Sequence, residues 1–84
     1  MAEVKKYPIV EIIWQDATSH QGWHDIDELA EDFECMNVRS VGYLIKKDRK
    51  FVKIVMGITE DDQTNMVMVI PAKWVQSIKV LRKA

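Results

Sequence analysis

The chain has 84 residues, a hydrophobic fraction of 48% and a formal net charge of −1. This length predicts one domain, residues 1–84, with a small core, and excludes a deep catalytic cleft between subdomains. The single cysteine, Cys35, excludes an internal disulfide, and no apolar run is long enough to cross a membrane. We therefore expect a soluble cytoplasmic protein.

The first predicted element is a strand over residues 9–14. Val10, Ile12 and Trp14 fall on one face, while Glu11 shares the other face with two isoleucines. This pattern is typical of a strand that is mostly buried on both sides. A loop rich in Asp, Ser and Thr follows over residues 16–22, because these side chains bond their own backbone locally.

A short amphipathic helix is predicted over residues 25–34. Asp25 is a suitable N-cap and Glu28, three residues later, completes a capping box. One face is apolar and consists of Ile26, Leu29, Ala30 and Phe33. Because so short a helix is unstable alone, the sequence predicts that this face packs on a sheet.

The remaining chain has the two-residue period of β-strands. Residues 38–47 and 51–58 predict a hairpin around a polar turn, and residues 66–70 and 75–81 predict two further strands. Pro71 interrupts the ladder, so a tight helical turn is expected before the last strand. The predicted fold is mainly β (α+β), with five antiparallel strands and one acidic helix inserted after the first strand.

The glycines and methionines in and beside these strands allow further predictions. Gly42 and Gly57 lie inside predicted strands, where they permit a bend or the close approach of another backbone. Met56, Met66 and Met68 are predicted to be core residues, with an adaptable contact surface as the alternative.

Charge is distributed unevenly along the chain. No Lys or Arg occurs between Glu11 and Asn37, where the carboxylates are Glu11, Asp16, Asp25, Asp27, Glu28, Glu31, Asp32 and Glu34. The next segment is basic, with Arg39, Lys46, Lys47, Arg49, Lys50 and Lys53. The simple interpretation is an acidic solvated helix face and a basic solvated hairpin. Alternatively, two copies dock acidic face to basic face, or the hairpin meets an anion. A pI near 6.1 argues against binding to duplex DNA.

The segment Val69-Ile-Pro-Ala-Lys-Trp-Val75 resembles the end of SH3-like barrels, where an Ile-Pro and an aromatic residue in one helical turn join the final strands. The resemblance implies a small five-stranded antiparallel SH3-like barrel. It covers this segment and the strand order alone. The first-strand motif and acidic specificity loop of SH3 domains are absent, so recognition of polyproline peptides does not carry over.

A second resemblance covers more of the chain. Trp14-Gln-Asp-Ala-Thr-Ser19, then Trp23, then Val38-Arg-Ser-Val-Gly-Tyr-Leu44 and Val69-Ile-Pro71 are similar to motifs in a group of small tailed-bacteriophage proteins. This resemblance implies a protein of the infected bacterial cytoplasm. It also implies that the protein acts by binding host proteins or signalling nucleotides.

The loop before the helix contains residue types found in catalytic and metal sites. His20 and His24 are four residues apart, and only Asp16 or Cys35 offers a third zinc ligand, so we interpret them as exposed loop histidines. Asp16, Ser19 and His20 are the residue types of a nucleophilic triad, but neighbours in one loop seldom reach its geometry. The sequence therefore predicts neither an enzyme nor a cofactor.

Binding is the favoured class of function. Of the three tryptophans, Trp14 and Trp74 are interpreted as core residues. Trp23 is either a hydrophobic staple at the helix start or an exposed anchor. Asp16 is either a binding residue or forms a local Asx turn, in which its side chain bonds the amides of its own loop. The candidate binding residues are Trp14, Asp16, Thr18, Ser19, His20, Trp23, His24 and Arg39.

Two functional hypotheses follow. In the first, a non-catalytic protein, expected to be a homo-oligomer, binds a host macromolecule through the aromatic loop and the acidic helix. In the second, an oligomer sequesters a small signalling nucleotide. Trp14 or Trp23 would stack on the base, Thr18 and Ser19 would reach hydroxyls, and Arg39 with nearby lysines would bind phosphate.

Overall fold

The computed structural model describes residues 6–17, 19, 21–32 and 34–84, and within them the chain is mainly β. Thr18, His20 and Phe33, which the sequence analysis named, lie outside the described residues. The elements are β1 (Ile9–Asp16), α1 (Ile26–Asp32), β2 (Met36–Lys47), β3 (Phe51–Val55), β4 (Val67–Pro71), a one-turn 3-10 helix (Ala72–Trp74) and β5 (Val75–Arg82).

The five strands form one antiparallel sheet in the order β4-β3-β2-β1-β5. β4 and β5 are its two edges, and the sheet is not closed between them. The mainly β class, the five antiparallel strands and the single short helix after β1 are confirmed. The helical turn between the last two strands is confirmed as well.

A small core lies on one face of the sheet. Val10 and Ile12 of β1 are fully buried, as the alternation of the strand predicts. Their cluster also contains Val52, Ile54 and Ile70, with Trp14, Leu44, Val75 and Ile78 packed against it. Because residues from β1, β3 and β4 meet in one cluster, the sheet curls around them. Among the described residues no polar side chain is buried.

Gly42 shows why β2 and β3 can lie so close together. A Cβ atom at this position would stand 2.7 Å from the carbonyl oxygen of Val55 and 3.3 Å from the Cβ of Ile54. The predicted close approach of another backbone is therefore confirmed for Gly42. Gly57 differs, because β3 ends at Val55 and not at residue 58 as expected, which leaves Gly57 in the following loop with no atom near its missing side chain.

The β2–β3 turn is closed by Asp48. Its carboxylate accepts hydrogen bonds from the backbone amides of Lys50 and Phe51, both at 2.8 Å. The amide of Asp48 donates in turn to the carbonyl of Phe51 at 3.0 Å. The Phe51 amide first, and then the Lys50 amide, hold the pKa of Asp48 below its ordinary value, because both bonds favour the charged carboxylate.

The predicted packing of helix α1 on the sheet is wrong. The helix begins where expected, with the carbonyl of Asp25 accepting from the amide of Leu29 at 3.1 Å. It ends at Asp32, two residues early, and the described residues of its predicted apolar face, Ile26, Leu29 and Ala30, are exposed and not packed on the sheet. Residues 26–31 are all exposed. The molecule is correspondingly elongated, with extents of 60 × 22 × 20 Å.

The methionines also differ from expectation. Met56, Met66 and Met68 are exposed, not core. Alternation places Met68 on the same sheet face as Ile54, its partner in β3, but the sheet ends there and no further strand covers it. The alternative of an adaptable contact surface therefore fits their position better.

Candidate interaction site

The arm tip, as we call the described residues between Ala17 and Cys35, is positioned by the β1–β2 hairpin. The two strands pair as far as Asp16 and Met36. β5 stops pairing with β1 at Trp14, and β3 stops pairing with β2 at Tyr43. The end of the hairpin therefore projects beyond its neighbouring strands and carries the loop and α1 away from the sheet.

Trp23 is the outstanding feature of the arm tip. Its exposed fraction is 103%, and Ile26 on the first turn of α1 is 82% exposed. Leu29, one helical turn later, is also exposed. A staple would bury Trp23 against the helix, so of the two interpretations left open by the sequence the structure favours the exposed one.

The loop around Trp23 is shaped by its neighbours. Gly22 has a φ of +105°, which an L side chain rarely adopts. The Nε2 atom of His24 lies 3.2 Å from the carbonyl oxygen of Gln21, which closes the chain around this glycine. The indole of Trp23 is thereby left on the outside of a tight bend.

The arm tip is acidic as well as apolar. Asp25, Asp27, Glu28, Glu31 and Glu34 are all exposed there. Asp27 and Glu28 lie in the first turn of α1, where carboxylates interact favourably with the positive end of the helix dipole. The result is an apolar spot surrounded by carboxylates, at the opposite end of β2 from the basic turn around Lys47 and Lys50.

Trp14 has a different environment from Trp23. It is half-buried and packs against the core, as interpreted from the sequence. Its ring stacks on that of Trp74, with centroids 6.5 Å apart and planes 12° from parallel. Its Nε1 donates a hydrogen bond to the Oγ of Ser40 at 3.0 Å. Trp14 thus secures the point where the arm leaves the sheet. Trp74, interpreted from the sequence as a core residue, is instead exposed and covers Trp14 from the outside.

The other candidate binding residues are spread over this region. Asp16 is half-buried at the end of β1, while Ser19, His24 and Arg39 are exposed. Arg39 pairs with Ile13, and Trp14 pairs with Val38, so Arg39 and Trp14 lie on opposite faces of the sheet. The two are therefore not brought together around one ligand within a single chain.

Sequence reasoning missed a groove on the surface. Its volume is about 230 Å³, and it is lined by Ser40, Val41, Ile54, Met56, Met66 and Met68. It lies where β3 ends and β4 begins, beside the projecting part of β2. The alternation of Met66 and Met68 was the available signal, but a pattern of alternation does not reveal whether a further strand covers that face.

Neither a metal-ligand cluster nor a membrane-spanning helix is present in the described part of the chain. Residues 6–17, 19, 21–32 and 34–84 contain no group of three His, Cys, Asp or Glu side chains placed to hold a metal ion. In the same residues no helix is long and apolar enough to span a membrane. Comparisons with protein-family models, with curated proteins and with solved structures find no match.

Proposed function

We propose that this protein is a non-catalytic binding module that anchors a partner protein through its arm tip. The observation that carries the proposal is the complete exposure of Trp23 beside the exposed Ile26. Large aromatic side chains of this kind are the usual anchors at the centres of protein interfaces.

The chemistry of the arm tip specifies the kind of partner. The acidic side chains around Trp23 would repel an acidic surface and attract a basic one. The indole requires an apolar pocket that removes it from water. We therefore propose a partner surface with an apolar pocket and a rim of Lys or Arg. If the resemblance to tailed-bacteriophage proteins holds, the partner is a protein of the host bacterium.

Comparative affinity capture from a host-bacterium lysate tests this proposal. Wild type, Trp23→Ala and Leu81→Ala are used as baits, because Leu81 is also an exposed apolar residue but lies on β5, away from the arm tip. We expect specific proteins to be retained by the wild type and by Leu81→Ala and lost with Trp23→Ala. Raising the salt concentration should weaken the same capture.

The purified partner then gives a quantitative test. Trp23→Ala is expected to raise the dissociation constant by about 30-fold or more, as loss of an interface anchor does. Circular dichroism should show that both variants fold like the wild type. Identical sets of captured proteins for all three baits would contradict the proposal.

A further inference from the structure

The two edges of the sheet differ in how they are protected against pairing with another chain. β5 carries Lys79 and Arg82, and its pairing with β1 is interrupted by two register shifts. Charges and bulges of this kind are the devices by which natural proteins protect an edge. β4 pairs with β3 without any register shift and carries no charged residue.

β4 is also apolar on both faces. Val67, Met68 and Val69 are exposed, and its one proline, Pro71, is the last residue of the strand. The groove lined by Met56, Met66 and Met68 lies beside its first residues. An exposed strand with this composition offers both unpaired backbone groups and apolar side chains to another strand.

We propose that β4 pairs antiparallel with β4 of a second copy of this chain, around a two-fold axis near Met68 and Val69. Such an interface is self-complementary, because each β4 residue then faces an uncharged β4 residue of the other copy, and the same pairs occur on both sides of the axis. The paired sheet would continue from one copy to the other. The second copy would also cover the β4 side of the groove lined by Met56, Met66 and Met68, which we call the methionine groove.

The exposed area of the chain is consistent with a second copy as the occupant. The chain exposes 7074 Å². A compact protein of 9.8 kDa exposes about 5,200 Å² by the scaling of folded monomers. The difference is more than twice the roughly 800 Å² that each partner buries in a standard interface, and the projecting arm tip accounts for part of it.

The charges at the two ends of β4 favour the antiparallel arrangement. The loop before β4 contains Glu60 and Asp61, both exposed. Exposed lysines lie at its other end, where Lys73 follows the strand and the carbonyl of Lys50 accepts from the amide of Ala72 at 2.8 Å. Antiparallel pairing brings the acidic end of one copy to the basic end of the other, whereas parallel pairing would bring like charges together.

Val69→Glu tests the proposal with little risk to the fold. Val69 is 46% exposed and lies opposite Lys53, so the new carboxylate gains a cross-strand partner in the single chain. In the dimer the same change places two carboxylates next to the two-fold axis. Leu81→Glu is the matched control on the other edge, at an exposed fraction of 49%.

Light scattering after size-exclusion chromatography over a concentration series gives the readout. We expect wild type and Leu81→Glu at twice the chain mass of 9.8 kDa, and Val69→Glu at the mass of one chain with an unchanged circular dichroism spectrum. The dissociation constant of the Val69→Glu dimer should rise by about 100-fold or more. A monomeric wild type, or a dimer lost only with Leu81→Glu, would overturn the proposal.

A charge exchange tests the orientation. Lys73→Glu should weaken the dimer, because it reverses a charge at the basic end of β4, which antiparallel pairing brings near the acidic loop of the other copy. Combining it with Asp61→Lys should restore the dimer, because opposite charges then stand again at the two ends. Failure of the second change to restore the dimer would overturn the antiparallel arrangement. These outcomes are independent of the partner bound at the arm tip, since Trp23→Ala should leave the mass of the assembly unchanged.

Discussion

The sheet and the arm tip use the same kind of residue in opposite ways. Ile12 in β1 is fully buried, whereas Ile26 in α1 is 82% exposed, although both lie in regular elements with an apolar face. The cluster that buries Ile12 and the side chains packed against it come from all five strands, whereas Ile26 is mostly surrounded by solvent. The comparison indicates that the sheet supplies the stability of the protein, while the arm tip leaves its apolar side chains exposed, as the proposed binding role requires.

The short helix sharpens this distinction. Isolated helices of fewer than about 12 residues are marginal in water, and most of their stability in proteins comes from packing of the apolar face. α1 has seven residues, and Ile26, Leu29 and Ala30 have no such packing in the described part of the chain. A partner that covers Ile26 and Leu29 would therefore stabilise the helix as it binds.

The largest effect is expected from Ile12→Ala. This change removes buried methylene groups from the centre of the core and should lower the free energy of unfolding by about 3 kcal/mol. Ile26→Ala, the same substitution at the arm tip, should change it by less than about 0.5 kcal/mol. Urea denaturation followed by circular dichroism measures both, and equal losses would remove the distinction between sheet and arm tip.

The second expected effect comes from Gly42→Ala. The new Cβ would collide with the carbonyl oxygen of Val55 at 2.7 Å, and backbone cannot move aside as a flexible side chain can. We expect a loss of about 2 kcal/mol in the free energy of unfolding.

Gly57→Ala is the control for Gly42→Ala. No atom lies within 4 Å of the position of its Cβ, and its φ is not in the left-handed region. The change should be neutral, or should stabilise the protein by up to about 1 kcal/mol by restricting the unfolded chain. Comparable losses at both glycines in thermal unfolding would show that the sheet does not depend on the close approach at Gly42.

Local patterns predicted the strands well because alternation is a property of each segment. The two-residue period of residues 38–47 and the polar turn after it were sufficient for the β2–β3 hairpin. Pro71 was sufficient to predict the helical turn between the last two strands. β1 and β2 each extend two residues further toward the arm tip than predicted, since their ends pair with one another in positions where neither segment alternates clearly.

The position of α1 could not be predicted in the same way. An amphipathic pattern shows that a helix has an apolar face, but it does not show whether the same chain or another molecule covers that face. The methionine groove escaped prediction for the same reason. The separation of Trp14 from Arg39 depends on strand register, which fixes the face of every side chain and follows from tertiary pairing.

Ser40→Ala tests the junction between the sheet and the arm. It removes the acceptor of the Trp14 indole hydrogen bond and should lower the free energy of unfolding by about 1 kcal/mol. Hydrogen exchange of the Trp14 indole proton should become faster. Ser77→Ala, an exposed serine opposite Ile13 on β5, is the control, with an expected change within about 0.5 kcal/mol. Equal indole exchange in all three proteins would show that the hydrogen bond does not hold the arm.

The smallest effect is expected at the β2–β3 turn, at the end of the sheet farthest from the arm tip. Because the pKa of Asp48 is lowered in the folded state, its contribution to stability is present above its unfolded value of 3.8. The contribution is lost as the pH falls through the lower, folded pKa. Asp48→Asn should therefore be less stable than the wild type at neutral pH, and the gap in melting temperature should close in acid.

Salt distinguishes the causes of this gap. The two amide hydrogen bonds at 2.8 Å are the main reason for the lowered pKa of Asp48, and the ion pair with Lys46 at 3.8 Å is a weaker one. Salt screens an exposed ion pair far more than a direct hydrogen bond. The gap between wild type and Asp48→Asn should thus persist in high salt. If high salt removed this difference in melting temperature, Asp48 would stabilise the sheet through charge attraction and not through the hydrogen bonds that close the turn.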